Sequence, residues 1–219
     1  MFHGARHFRL AAPAFLFLAL LLTLSLSRAG AAACDVRLNE ICPAPGRDWD
    51  TSGLFSARDD EWIELVNTAD VPADLALYYL TDSDSTVRWA GTGVLNPGEH
   101  RVIFGGDAVT WQRDHGRPIA GLSLANAGDA VRLWHASGAD TMLVESYTYT
   151  PHEAGTDRSI GRMPDTTGDA WQLFDAYSPY TGTLEPKGNG CAPTPHSWNV
   201  CNNTPVEKSS WGRIKAQYR

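Results

Sequence analysis

Several short segments of the chain alternate polar and apolar residues with a period of two. The alternation is clearest in Leu38-Asn39-Glu40-Ile41 and in the segment from Asp60 to Asn67. This period is typical of a strand with one face buried and the other in water. Seven strands are therefore predicted, over residues 36–42, 61–67, 74–80, 86–90, 99–104, 129–135 and 140–149.

Turn-forming residues separate these segments, among them Asn96-Pro97-Gly98 and Ser137-Gly138. No segment between 34 and 200 keeps a helical period, although Ala108 to Asp114 could form about one turn. Seven short strands at this spacing predict a two-sheet β-sandwich. Five aromatic residues are expected to fill its core: Trp62, Tyr79, Trp89, Phe104 and Trp134.

The order of several motifs resembles the bacterial lamin-tail domain, an immunoglobulin-like β-sandwich. The matching segments are 38–41, 60–67, 72–75, 94–103, 122–133 and Thr194-Pro195-His196-Ser197-Trp198-Asn199, in which His196 replaces the glycine of the family's closing motif. The resemblance covers roughly residues 36–200. It implies an all-β, immunoglobulin-like two-sheet β-sandwich along whose edge the irregular segment after residue 151 wraps. It implies little about activity, because architecture defines this family.

The first 33 residues have the pattern of a secretory signal peptide. Arg6 and Arg9 precede an apolar stretch from Leu10 to Leu26, and small residues follow at 29–33. A retained membrane anchor is the alternative, but 17 apolar residues fall short of the roughly 20 that span a bilayer. Cleavage after Ala31 or after Ala33 fits, and the second would leave Cys34 at the new N-terminus, as in a lipoprotein. We expect secretion or a cell-envelope location, in the periplasm or at the cell surface.

Four cysteines, Cys34, Cys42, Cys191 and Cys201, follow the signal segment, and export makes disulfides the expected use. An extended 36–42 would hold Cys34 and Cys42 about 26 Å apart, whereas a disulfide needs α-carbons within about 7 Å. Cys191 and Cys201 could pair locally, or each could pair with one N-terminal cysteine. The second arrangement, slightly favoured, would tie the two ends of the domain together.

The charge of the exported part argues against nucleic acid as a partner. Three of the 18 lysines and arginines (Arg6, Arg9, Arg28) lie in the first 33 residues, which leaves 15 against 25 acidic residues, a formal charge of −10. Nucleic acid binding requires a basic face. The exception is residues 208–219, whose four basic residues and lack of acids leave −14 on the rest.

The loop after the first strand resembles an EF-hand calcium loop. Gly53 stands at position 6, where the sharp turn is needed. Position 12 carries Asp59 instead of the preferred glutamate, and no helices flank the loop. The alternative is a solvated acidic loop, because Asp, Ser and Gly are ordinary turn residues. The predicted calcium ligands are Asp48, Asp50, Ser52, the carbonyl of Leu54, Ser56 and Asp59.

Signatures of catalysis are missing from the sequence. His152-Glu153 lacks the second histidine of a zinc-protease helix, and there is no Gly-x-Ser-x-Gly elbow or phosphate-binding glycine loop. Glu40, Glu61 and Glu64 could cluster across neighbouring strands as paired carboxylates. Acids at a strand edge near a cation loop explain them equally well. We therefore predict that the chain is not an enzyme.

The C-terminal segment 202–219 is expected to be a linker followed by a short basic amphipathic tail. Read as a helix, Trp211, Ile214 and Tyr218 share one side, flanked by basic residues. Such a tail could contact a membrane surface, a partner or the acidic body. A frayed terminus is the alternative.

These observations predict an exported, non-catalytic interaction or tethering module of the cell envelope or extracellular space, built on residues 34–201. Its partner would be an envelope protein or a surface polymer, and a membrane only through lipid on Cys34 or the basic tail. The second hypothesis is carbohydrate or surface-polymer binding through exposed aromatics at Trp49, Trp111 and Trp171. A secreted metal-dependent hydrolase is the third.

Overall fold

The computed structural model describes Met1, residues 36–165 and residues 170–201. Within this part of the chain, two larger antiparallel sheets and one two-stranded ribbon are formed. The strands are β1 (Val36–Cys42), β2 (Trp62–Asn67), β3 (Ala73–Asp74), β4 (Tyr78–Thr81), β5 (Val87–Ala90), β6 (Val94–Leu95), β7 (His100–Phe104), β8 (Asp129–Ser137), β9 (Asp140–Tyr149), β10 (Ser159–Arg162) and β11 (Trp171–Phe174).

The five-stranded sheet has the order β11-β10-β1-β2-β7, and the four-stranded sheet has the order β5-β4-β8-β9. Strands β3 and β6 form the ribbon. Apolar side chains from both larger sheets meet in one buried cluster, as in a β-sandwich. The predicted all-β, immunoglobulin-like sandwich is confirmed. The most deeply buried residues of the apolar cluster include Leu38, Leu65, Ile103, Leu80, Leu133 and Tyr149.

The strand predictions hold at six of seven positions. The exception is 74–80, where a 3₁₀ turn at Leu75–Leu77 interrupts the strand. Asp74 starts that turn by accepting a hydrogen bond from the backbone N–H of Ala76 at 3.0 Å. Beyond the seven predicted strands, β6, β10 and β11 also form.

The prediction that β2 has one face in water is wrong. All six residues of β2 are buried. Ile63 and Leu65 face the apolar core between the sheets, whereas Trp62 packs on the opposite face against Cys42 and Val102. The outer face is covered because later parts of the chain fold over it, which the local period cannot reveal.

Of the five aromatics expected in the core, only Trp89 belongs to the buried cluster between the sheets. Trp62 is buried on the outer face, in a second cluster against which half-buried Phe104 packs. Tyr79 and Trp134 stack on each other with ring centroids 6.1 Å apart and remain half-buried.

The segment after residue 151 supplies strands as well as a wrap. Ser159–Arg162 pairs with β1, and Trp171–Phe174 pairs with β10, which extends the five-stranded sheet. A later segment passes this edge in parallel with β11, where Asn189 donates its backbone N–H to the carbonyl of Leu173 at 2.9 Å. Two strands are thus added to the predicted irregular wrap.

Ion pairs of Glu145 join the two sheets. Arg162 of β10 is 4% exposed and forms an ion pair with Glu145 of β9. Glu145 also accepts two hydrogen bonds from Arg37 at 3.1 Å. Its carboxylate therefore has partners on two strands of the opposite sheet.

A ten-residue helix, α1 (Gly105–Asp114), follows β7, where about one turn was expected. Asp107 in its first turn accepts the backbone N–H of Phe104 at 3.0 Å, which supports the helix start. A side chain at residue 105 would meet the carbonyl oxygen of Arg58, so this close approach requires glycine. The amide of Gln112 anchors the other end by accepting hydrogen bonds from Ala120 and Gly121.

Cys191 and Cys201 form a disulfide with α-carbons 5.3 Å apart. The favoured alternative, in which each pairs with an N-terminal cysteine, is wrong. Cys42 is buried and free against Trp62 and Val102. The predicted lipid site Cys34 lies outside the described residues, as do the signal segment and the tail.

Candidate functional site

The loop between β1 and β2 gathers three carboxylates. One oxygen from each of Asp48, Asp50 and Asp60 lies within 4.8 Å of the others. Asp60 is fully buried and accepts backbone N–H groups of Trp49, Asp50 and Ser56 at 2.7 to 3.0 Å. These bonds hold both ends of the loop on one carboxylate.

The other two acids of this cluster also bind loop amides. Asp48 accepts the N–H groups of Ser52 and Gly53, and Asp50 accepts that of Ser52. The Leu54 carbonyl, a predicted calcium ligand, accepts the Ser52 hydroxyl at 3.2 Å. The loop is therefore closed by its own hydrogen bonds.

Asp59 departs from the predicted ligand set, because it pairs with Arg58 through two hydrogen bonds of 2.6 and 3.0 Å. Asp60, one residue later, occupies the position that was assigned to Asp59. Ser56 donates its N–H to Asp60, and its hydroxyl accepts the N–H of Asp59. Calcium binding stays a prediction, with Asp48, Asp50 and Asp60 as the acids brought together.

Trp49 does not display its ring as the carbohydrate hypothesis expected. The ring is half-buried between Trp62 and Tyr177, and its indole N–H donates to Asp157 at 2.9 Å. Asp157 also accepts hydrogen bonds from Gly46 and Arg47, so it fastens the start of the loop.

The other two tryptophans of that hypothesis are half-buried as well. Trp171 stacks on Tyr147 with centroids 4.0 Å apart, and Trp111 stacks on His115 at 4.8 Å. Among the described tryptophans, only Trp198 is exposed, at 51%. The other predicted contact residues, Trp211, Ile214 and Tyr218, lie outside the described residues.

Two glutamates face each other on the outer side of the five-stranded sheet. Glu40 on β1 and Glu64 on β2 are register partners, and both are 0% exposed. The residues that cover them belong to segment 191–201, here called the C-terminal strap. Glu61 does not join this pair, because it precedes β2 by one residue and its carboxyl binds the backbone of Leu124 instead.

The two glutamates hold the strap by accepting its hydrogen bonds. Thr194 donates both its N–H and its hydroxyl to Glu40, the hydroxyl at 2.8 Å. His196 donates its N–H to Glu64 at 2.6 Å. Ser159 of β10 donates its hydroxyl to Glu40 as well. The strap is thus fixed to the sheet by carboxyl groups that are shielded from water.

Burial changes the acidity of this pair. Loss of water from the charged form raises the pKa of Glu40 from 4.5 to about 7, against the opposing effect of its hydrogen bonds. Burial, reinforced by the charge of Glu40, raises the pKa of Glu64 to about 8. Asn39 donates to Glu64 at 2.8 Å, while its buried Oδ1 has no hydrogen-bond partner among the described residues. A half-turn of this amide would offer that oxygen to a protonated Glu64.

Asn199 anchors the end of the strap. Its side-chain amide donates to the carbonyls of Arg162 and Asn39 at 2.8 and 3.3 Å. Its backbone N–H donates to Asp165, whose Oδ2 also lies 3.0 Å from Nε2 of His100. The closing motif at 194–199 therefore covers β1 and β2 and is hydrogen-bonded to both strands.

Glu61 lies in an open pocket of about 380 Å³ at the end of β1. The residue is 8% exposed, and its carboxyl accepts the backbone N–H groups of Leu124, at 3.2 Å, and of Ser123. Burial raises its pKa from 4.5 to about 8. The pocket is lined by Pro43, Ala44, Pro45, Ala57, Arg58, Glu61, Leu124 and Asn126.

The lamin tail domain model matches residues 29–151, more than half of the 219 residues. The chain belongs to the lamin tail domain family. This places it among immunoglobulin-like interaction modules, which are generally non-catalytic. The match to the lamin tail domain ends before β10, β11 and the strap. No curated protein and no solved structure matches the chain.

Proposed function

We propose that this lamin tail domain protein is an exported, non-catalytic module that binds a partner protein in trans, in the cell envelope or outside the cell. The observation that carries the proposal is an ordered loop with two adjacent apolar side chains in water. Leu54 is 80% exposed and Phe55 is 53% exposed, between backbone positions that Asp48, Asp50 and Asp60 hold. Such a loop can bury apolar surface on a partner with little loss of backbone freedom.

The buried carboxyls support the non-catalytic part of the proposal. Paired glutamates in a fold are candidates for acid–base chemistry, but Glu40 and Glu64 lie beneath the strap and bind its backbone. A substrate would have to displace Thr194 and His196 to reach them. The hydrogen bonds of Glu40 and Glu64 attach the C-terminal strap to the five-stranded sheet.

Two observations support export. The N-terminal segment has the pattern of a secretory signal, and the Cys191–Cys201 disulfide is a bond that persists in oxidising compartments. Within the described residues, no helix is both long and apolar enough to cross a membrane.

Site-specific photo-crosslinking in the producing cell tests this proposal. A photoreactive phenylalanine analogue placed at residue 54 or 55 should give one discrete adduct with a partner protein. Leu184, which is 58% exposed and lies outside this loop, is the control position. No adduct at either loop position, or the same adducts at 184, would contradict the proposal.

Polysaccharide binding is the second candidate, and exposed Trp198 is the observation that favours it. Its ring lies edge-on to His100, with centroids 5.2 Å apart, and leaves half of its surface to solvent. Aromatic faces of this kind stack on apolar ligand surfaces. Loss of retention on a polysaccharide in Trp198→Ala, with folding intact, would support this candidate, and equal retention would reject it.

A further inference from the structure

We propose that the pocket at Glu61 binds the side-chain ammonium of a lysine presented by the partner protein. This inference rests on the proposed function and names the chemistry of one contact. It follows from a buried carboxyl at the wall of an open pocket, five of whose seven other lining residues are apolar.

The floor and walls of the pocket suit an alkyl chain. Pro43, Ala44 and Pro45 are buried directly after β1, and Leu124 is 4% exposed on the facing loop. A lysine stem of four methylenes can bury apolar surface against these residues, while its charged end reaches inward.

The inner end of the pocket suits a cation. Glu61 accepts hydrogen bonds there from the backbone N–H groups of Leu124 and Ser123. Among residues 36–165 and 170–201, no basic side chain forms an ion pair with Glu61. The side chain of Asn126 lines the same pocket and can accept a second hydrogen bond from an ammonium group, which has three donors.

The cation at the rim is already neutralised. Arg58 lines the pocket but donates two hydrogen bonds to Asp59, at 2.6 and 3.0 Å. Its stem is held against Gly121, where a side chain would meet Arg58 Cγ at 2.9 Å. Arg58 is therefore held by Asp59, and its charge and that of Arg88 act on Glu61 without an ion pair.

Binding of a lysine mimic to the full chain tests the inference without any partner protein. N-acetyl-lysine N-methylamide is titrated into ¹⁵N-labelled protein at pH 8, where about half of Glu61 is ionised and the ammonium is charged. The norleucine analogue is the matched ligand that lacks the ammonium. We expect saturable amide shifts at Ser123, Leu124 and Ala57, with a dissociation constant of about 1–10 mM. The norleucine analogue should give no saturable shift.

Two variants examine the pocket itself. Glu61→Gln keeps an acceptor for the Leu124 amide, removes the charge and should weaken lysine binding about tenfold or more. Ala57→Phe fills the mouth from an exposed position and should also abolish the shifts. Glu185→Gln makes the same charge change at a side chain that is 76% exposed and should bind as wild type does.

Lysines of the chain itself are the other source of an ammonium group. Lys208→Gln with Lys215→Gln in the full chain should leave the affinity for the mimic unchanged. A lower dissociation constant for the lysine mimic in this double variant would show that the tail competes for the pocket. It would overturn the assignment of the lysine to a partner protein. Equal binding of both ligands, or unaltered binding in Glu61→Gln, would also overturn the inference. Crosslinks at 54 and 55 would then still support the proposed function.

Discussion

Glu64→Gln is expected to change how the stability of the protein depends on pH. Below pH 4.5 the Glu64 carboxyl is protonated in both the folded and the unfolded chain. Above pH 4.5 the unfolded chain releases this proton, whereas the folded protein retains it up to about pH 8. The stability that Glu64 contributes is therefore complete at acid pH and is lost as pH rises towards 8.

The size of this loss follows from the pKa. From 4.5 to about 8, at about 1.4 kcal/mol per pH unit, the free energy of unfolding falls by about 5 kcal/mol. About 4 kcal/mol of this lies between pH 5 and pH 8. Glutamine cannot ionise, so the variant should avoid that loss. Its amide carries two N–H donors where the protonated carboxyl carries one O–H, and the added donor in a buried site should make the variant about 1 kcal/mol less stable at pH 5.

Urea unfolding followed by tryptophan fluorescence at pH 5, 6, 7 and 8 measures the effect. The curves of wild type and Glu64→Gln should cross within this range, with the variant more stable at pH 8. Glu185→Gln, at a carboxyl that is 76% exposed, should run parallel to wild type. If wild type and Glu64→Gln stay parallel within about 1 kcal/mol, Glu64 does not hold a proton in the folded state.

Three further predictions concern the strap, the sheets and the acidic loop. Cys191→Ser with Cys201→Ser should lower the free energy of unfolding by about 2–3 kcal/mol, because a ten-residue loop is no longer closed; reductant should then have no further effect on thermal unfolding. Arg162→Met should cost about 2 kcal/mol in urea unfolding, because Glu145 loses a buried partner but keeps Arg37, and adding Glu145→Leu should increase the loss because it removes the acceptor of Arg37 and of the Leu38 backbone N–H. Calcium at a hundredfold excess over its dissociation constant should stabilise the wild type by about 2.7 kcal/mol relative to chelator, and an unchanged midpoint would reject the loop as a calcium site.

The local pattern of the chain was sufficient to predict most strands. β1, β2, β8 and β9 each have a period or an apolar run that a strand can bury on at least one side. β10, Ser159-Ile160-Gly161-Arg162, has too short a pattern for this inference, and its strand form depends on pairing with Glu40 and Ile41 of β1. Helix α1 was underestimated for a related reason, because its buried contacts come from distant segments.

The candidate site divides in the same way. The sequence placed Asp48 and Asp50 in one turn, since residues this close can only be brought together locally. It could not choose between Asp59 and Asp60, because the choice depends on Arg58 binding the first and three loop amides binding the second. The one sign in the sequence that Asp60 could replace Asp59 as a ligand was that it is also an aspartate and lies next to it.

Alternation and turn chemistry among near neighbours were sufficient to predict the sandwich, the segments that form most of its strands and the acidic turn after the first strand. Contacts between distant segments, in contrast, bury Glu40 and Glu64, pair Cys191 with Cys201 and place Glu61 in a pocket. These features depend on which distant segment covers each face. Long-range hydrogen bonds stabilise these covering segments. One example is the bond from the Thr194 hydroxyl to Glu40, between residues 154 positions apart in the chain.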